Sequence, residues 1–119
     1  MVSSVAPCRF LRKVADIVEK IGRIALLHDI YGSLLTEKQA RALTMFYEED
    51  LSLGEIAEIL AVSRQAVYDM IKRSEDILEK YEAKIGVLAK ETQMRTLLAK
   101  AMTNQDWQLV EKALVKLNQ

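Results

Sequence analysis

An all-α fold, a helix-turn-helix with an extended second helix and a C-terminal helical hairpin, is what this sequence predicts, and three observations carry it. The 119 residues hold one Pro and four Gly, half the chain is apolar, and Ala, Leu, Ile, Glu and Lys dominate, a composition in which helix packing supplies the stability. The stretch 51–73, LSLGEIAEILAVSRQAVYDMIKR, reads as two helices joined by a turn too short to let them separate. Outside it, apolar residues keep recurring at spacings of three and four, the period of one helix face. A chain of this length buries one core, enough for one compact domain with an appendage. The patterning divides it into an N-terminal helical extension (1–33), the helix-turn-helix domain (34–85) and a C-terminal helical appendage (86–119).

In chain order, residues 1–7 are small and poorly patterned and are expected to fray. From 10 to 26, Leu11, Val14, Ile17, Val18, Ile21, Ile24 and Ala25 form the apolar stripe of an amphipathic helix that Gly22 weakens. A short continuation over 27–34 turns Leu27, Ile30 and Tyr31 inward and breaks near Gly32. Thr36, with Gln39 three residues on, forms a capping box in which each side chain satisfies a free backbone N–H of the other residue. Ala40, Leu43, Phe46 and Tyr47 give the apolar side of this scaffold helix. Glu48, Glu49 and Asp50 close it and favour the positive dipole end of the helix that follows; a carboxylate cluster could also bind a cation, but adjacent acids cannot all converge on one ion, which favours the helix-end reading.

That next helix opens with a second capping box, Ser52 and Glu55, and Leu51 with Ile56 can close it as a hydrophobic staple. Ile56, Ala57, Ile59 and Leu60 form its apolar stripe, with small Ala57 where another helix must approach closely. Ala61, Val62 and Ser63 turn the chain, Ser63 caps the second helix, and Val67, Met70, Ile71 and Ser74 point back at the core. Arg64, Gln65, Tyr68, Asp69 and Lys72 are left facing outward near its start, where a recognition helix reads base edges in a major groove. Arg64 can pair bidentately with guanine and Gln65 with adenine, while Lys72 and Arg73 lie further along and suit phosphate contacts. These six are the candidate DNA-binding residues.

The pattern continues past Arg73 through Ile71, Ser74, Leu78, Tyr81, Ile85 and Leu88, a heptad seam of only about two and a half heptads that Gly86 weakens; it packs either against the same chain's other helices or on a second copy, and a homodimer is expected. Residues 103–106, TNQD, give a third cap signal, and Trp107, Val110, Ala113, Leu114 and Leu117 form the stripe of a last helix with Trp107 as its docking anchor. A helical hairpin from about 77 to 117, closed on itself or on a second chain, would bury these stripes.

Several function classes are excluded. Cys8 stands alone, so no intrachain disulfide forms and a reducing compartment is the simplest reading, with Cys8 a small apolar residue. No apolar run is long enough to span a bilayer, and Arg12, Lys13, Asp16, Glu19 and Lys20 interrupt the early apolar stretch, unlike a signal peptide. The expected place is the cytoplasm. His28 is the single His, a core or surface residue with no second His to share a metal. No Gly-rich loop could cradle a phosphate, and the acids sit on helix faces among Lys and Arg. The expectation is a non-enzyme with no catalytic residue, metal or cofactor.

The runs YGSLLTEKQ and SLGEIAEILAVSRQAVYDMIKRSE closely resemble the YlxM family of small bacterial helix-turn-helix proteins. More generally they resemble the fourth conserved region of bacterial sigma factors, where a similar unit binds promoter DNA. The resemblance implies a sigma-factor region 4-like domain with Arg64, Gln65, Tyr68 and Asp69 at the recognition positions. Nothing here resembles the other sigma-factor regions, which argues against an initiation factor in its own right. Genes of the family lie beside those of the signal recognition particle GTPases, which implies by association a role in, or regulation of, that targeting pathway. The likeness covers about half the chain, and residues 1–23 and those beyond Leu88 are expected to fall outside it.

Charge sets a second reading beside DNA binding. The whole chain is neutral, with 17 bases and 17 acids, but between Thr36 and Tyr81 ten acids stand against six bases. Phosphate neutralisation supplies most non-specific DNA affinity, so a binder must gather bases on its docking face, and Arg64, Lys72, Arg73 and Arg41 are the ones at hand. The sequence therefore carries two expectations. One is a dimeric regulator of duplex DNA; the other is an adaptor that binds a protein or RNA component of the signal recognition particle system.

Overall fold

The computed structural model describes residues 9–118. The expectations for residues 1–7 and for Cys8 lie outside them. Among the described residues six α-helices follow one another: α1 (Arg9–Tyr31), α2 (Glu37–Leu43), α3 (Leu53–Leu60), α4 (Arg64–Ile85), α5 (Val87–Asn104) and α6 (Trp107–Leu117). A 3-10 turn (Gly32–Leu34) follows α1, and a π-helical turn (Thr44–Glu48) follows α2. The fold is the all-α helix-turn-helix that the sequence predicts, with an extended second helix and a C-terminal hairpin. Two compact units divide between Leu78 and Glu79. None of the described helices is long and apolar enough to cross a membrane.

In the first unit, local chemistry fixes where the helices start. Thr36 Oγ1 accepts from the Gln39 N–H and Gln39 Oε1 from the Thr36 N–H, both at 3.2 Å. Ser52 and Glu55 repeat the exchange at 3.1 and 3.2 Å. Each box satisfies two donors that a helix start would otherwise leave open. Leu27, Leu43, Ile56, Val67 and Leu78 are then fully buried in the core, and Ala57 is buried beside them. Ser74 is buried too, and it keeps its hydroxyl satisfied by donating to the Met70 carbonyl at 2.7 Å.

Four expectations change on contact with this core. The stripe from Leu11 to Ile21 does not enter it: α1 runs unbroken through Gly22, and only Ile24, Leu27 and Tyr31 of this helix are buried. The reason is length, since α1 extends roughly 34 Å while α2 and α3 extend roughly 10–12 Å, so its first half outruns what they can cover. Ile59 turns out half-exposed, because one face of α3 is enough to bury Ile56 and Ala57. The scaffold helix is not one regular helix but α2 plus the π-helical turn, where the Glu49 N–H reaches back to the Thr44 carbonyl at 3.1 Å. That wider turn buries Met45. The heptad seam is cut as well: Ile71, Ser74 and Leu78 belong to the first unit's core, Ile85 is exposed, and Gly86, at φ +73°, ends α4.

The second unit is a hairpin in which α5 and α6 pack on each other. The α5–α6 hairpin begins at Val87 rather than near 77, while the unit that holds it takes in the end of α4 from Glu79. Glu82 prepares its start, since its carboxylate accepts from the N–H groups of Leu88 and Ala89 at 2.9 and 3.1 Å, an anion on the positive end of α5. Asp106 caps α6 through the Gln108 N–H at 3.0 Å. Ala101 and Ala113 are the buried apolar residues of this pair of helices. Trp107, expected to anchor the last helix, is instead 79% exposed. It occupies the first position of α6 and lines a surface hollow together with Leu98, Ala101 and Val110.

Candidate nucleic-acid interface

The turn between α3 and α4 aims the candidate residues. Ala61 adopts a left-handed conformation at φ 56°, and the Val62 N–H closes back on the Ala57 carbonyl at 3.0 Å, which reverses the chain in three residues. Ser63 Oγ then accepts from the Ala66 N–H at 3.0 Å and starts α4. Val67, Ile71 and Ser74 turn inward. With that face fixed, Arg64, Gln65, Tyr68, Asp69, Lys72 and Arg73 are all exposed on α4.

Contacts link four of the six. Gln65 Nε2 donates to Asp69 Oδ1 at 3.1 Å, one turn along the helix. Lys72 Nζ lies 5.7 Å from the centroid of the Tyr68 ring, a cation–π distance. Arg64 stands in the first turn and Arg73 two turns further on, and both are exposed.

On one flank of α4 lies a groove of about 460 Å³, walled by α1, the π-helical turn and α4 itself. Glu75 is central to it, a carboxylate only 8% exposed. Tyr47 donates its hydroxyl to one Glu75 oxygen, and the other oxygen lies 3.3 Å from Lys20 Nζ and 3.8 Å from Lys72 Nζ. Burial, foremost, then the hydrogen bond to Glu75 and its charge, push the Tyr47 phenol above its ordinary range. On the other flank a hollow of about 400 Å³ gathers Lys38 from α2 with Asp69 and Arg73.

Lys20, Tyr47 and Glu75 were not singled out by the sequence. Tyr47 reads there as one more apolar position, and Lys20 as one charge among several that interrupt an apolar stretch. A signal existed for Glu75: it sits next to Ser74 and four residues past Ile71, at the edge of the buried face, where a carboxylate requires partners. Nothing in the sequence says that one partner comes from 55 residues earlier. Among the described residues, no three His, Cys, Asp or Glu side chains gather to hold a metal. Asp50 takes a left-handed turn at φ 55°.

Comparison with known proteins matches residues 18–117 to a family described as "Putative helix-turn-helix protein, YlxM / p13 like", UPF0122. UPF0122 proteins of Bacillus cereus (strain AH187), Bacillus anthracis (strain A0248) and Bacillus thuringiensis subsp. konkukian (strain 97-27) are each 45% identical over 109 aligned positions. Those alignments take in 85% of this chain and 99% of each relative. The match runs well past the half of the chain that the sequence motifs mark: it includes α5, all of α6 and α1 from Val18 onward, so nearly all of the segment beyond Leu88 expected to fall outside the likeness is inside it, while residues 1–17 stay outside. This chain belongs to the UPF0122 family of YlxM / p13-like helix-turn-helix proteins.

Proposed function

We propose that this protein is a non-enzymatic, cytoplasmic regulator that sets α4 in the major groove of duplex DNA and acts as a homodimer. The supporting observation is the segregation of α4: Val67, Ile71 and Ser74 are buried, while the six polar or charged candidates share the exposed side. A recognition helix needs that division, a face fixed by its own core and a face given to base edges. Arg64 and Gln65 occupy the first turn, with Arg64 the principal reader. Gln65 would read adenine as a pair with Asp69, whose carboxylate holds its amide. The link to the signal recognition particle pathway rests on gene neighbourhood in the resembling family.

Because Leu78 is fully buried within one chain, the dimer contact would be made elsewhere, by the exposed apolar residues of α5 and α6 such as Met102 and Trp107. The test of function is a selection from random duplexes followed by titration. An enriched sequence whose affinity falls on Arg64→Ala, with binding to random DNA hardly changed, supports the reading. No enrichment, or wild-type affinity in the variant, overturns base readout by α4.

The excess of acids over 36–81 favours a second reading, an adaptor for a protein or RNA component of the signal recognition particle system. Affinity for such a component that stays flat with salt, beside negligible duplex binding, would select it.

A further inference from the structure

The Glu75 cluster carries a charge imbalance that the helix-turn-helix alone does not explain. Two ammonium groups share one carboxylate oxygen, because the other oxygen is taken by Tyr47. The carboxylate is buried, at 8% exposure, while the side chains of Lys20 and Lys72 are 51% and 46% exposed. The negative charge therefore sits inside and the positive charges face water. Since both touch one oxygen, the two ammonium groups cannot be farther apart than those two distances combined. One belongs to α4, among the candidate reading residues. The other belongs to α1, outside the helix-turn-helix motif.

We propose that Lys20 and Lys72 form a two-helix contact for DNA backbone phosphate on the flank of α4, and that Glu75, by holding both, limits its strength. This rests on the duplex-binding reading above and adds to it a residue of α1 and a built-in restraint. Phosphate is the fitting ligand because the cluster offers a residual positive charge outward from two directions, and because the acid-rich domain leaves few other bases beside α4. A phosphate approaching from solvent meets both ammonium groups before it meets the carboxylate. Asp50 also lines the groove, and its charge is the same in every variant named below.

The consequence is a balance of charge that salt titration reads. In the wild type the cluster carries two positive charges and one negative. Lys20→Gln removes one positive charge and is expected to flatten the slope of log affinity against log salt by about one unit. That is about threefold to fourfold in relative affinity between roughly 50 and 200 mM salt. Glu75→Gln removes the negative charge, and the new amide carbonyl can still accept from Tyr47. Its expected effect is the opposite: tighter binding to any duplex at low salt and a slope steeper by about one unit. The double variant, Lys20→Gln with Glu75→Gln, returns to the wild-type slope.

Helicity followed on heating checks that each variant is folded, and Lys20→Gln, at a half-exposed side chain, decides the matter should the buried Glu75→Gln unfold. A purely structural ion pair would lower the melting temperature on Lys20→Gln and leave the salt slope alone. A folded Lys20→Gln with the wild-type slope, beside a Lys72→Gln that flattens it, overturns this inference and leaves the DNA reading standing. A wild type that binds no duplex at any salt overturns both.

Discussion

The two units of this chain, both all-helical, bury their apolar residues in opposite ways. The first encloses large side chains, with Leu27, Leu43, Ile56, Val67 and Leu78 all fully buried. In the second the buried apolar residues are alanines, Ala101 and Ala113, while Met102 is 82% and Trp107 79% exposed. Topology accounts for the difference. Four helices crossing at different places surround an interior, whereas two helices in a hairpin share one contact line and leave their remaining faces outside. The hairpin therefore leans on its caps more than on a large core, and its apolar residues Met102 and Trp107 stay exposed on the single chain.

The largest expected effects should divide along that line. Leu43→Ala or Ile56→Ala should destabilise the first unit by about 2–5 kcal/mol, read by urea or thermal unfolding. Met102→Ser, on the hairpin surface, should change the stability of the single chain, read at low protein concentration, by no more than about 0.5 kcal/mol. An equally large loss on Met102→Ser, with a melting temperature that rises with protein concentration in the wild type, would mean that the hairpin buries this face on a second copy. Light scattering at tens of micromolar then decides whether the copy is there.

A smaller effect sharpens the account of how the hairpin starts. Glu82→Ala takes the acceptor from the N–H groups of Leu88 and Ala89 and should cost about 1–2 kcal/mol. Hydrogen exchange should localise the loss to the first turn of α5 and leave the amides of α3 protected as before. Equal deprotection of α3 would show that the two units unfold as one.

Much of the helix-turn-helix was legible in the sequence because its signals are local. Both capping boxes, the Ser63 cap and the inward set of Val67, Ile71 and Ser74 depend on residues within one or two turns, which the period of a helix fixes. What could not be read depends on distant neighbours. The stripe of α1 is equally apolar in both halves, and only the lengths of α2 and α3 decide that Ile24 and Leu27 are covered while Val18 is not. The π-helical turn keeps the three- and four-residue spacing of Leu43, Phe46 and Tyr47, so periodicity cannot separate it from a regular helix. The Lys20 to Glu75 contact joins positions that no short-range rule connects. Trp107 shares the apolar stripe of α6 with Ala113, and periodicity alone does not say that Ala113 is buried while Trp107 is exposed.

The smallest effect lies in the turn that aims the candidate site, and its sign is the informative part. Ala61 closes α3 at φ 56°, ψ 46°, a left-handed conformation that costs an L-residue with a Cβ about 1–2 kcal/mol. Glycine adopts it without that strain but gives up more chain entropy on folding, about 0.5–1 kcal/mol. The two terms oppose each other, and the strain is the larger, so Ala61→Gly should stabilise the first unit by about 0.5–1 kcal/mol. The hydrogen bonds of the turn use backbone atoms alone, the Ala61 N–H to Glu58 and the Val62 N–H to Ala57, so none is lost. Chemical unfolding with an unchanged m-value should register the gain. A loss instead would mean that the Ala61 methyl contributes packing that outweighs its strain, and that the angle between α3 and α4 depends on a side chain rather than on the turn itself.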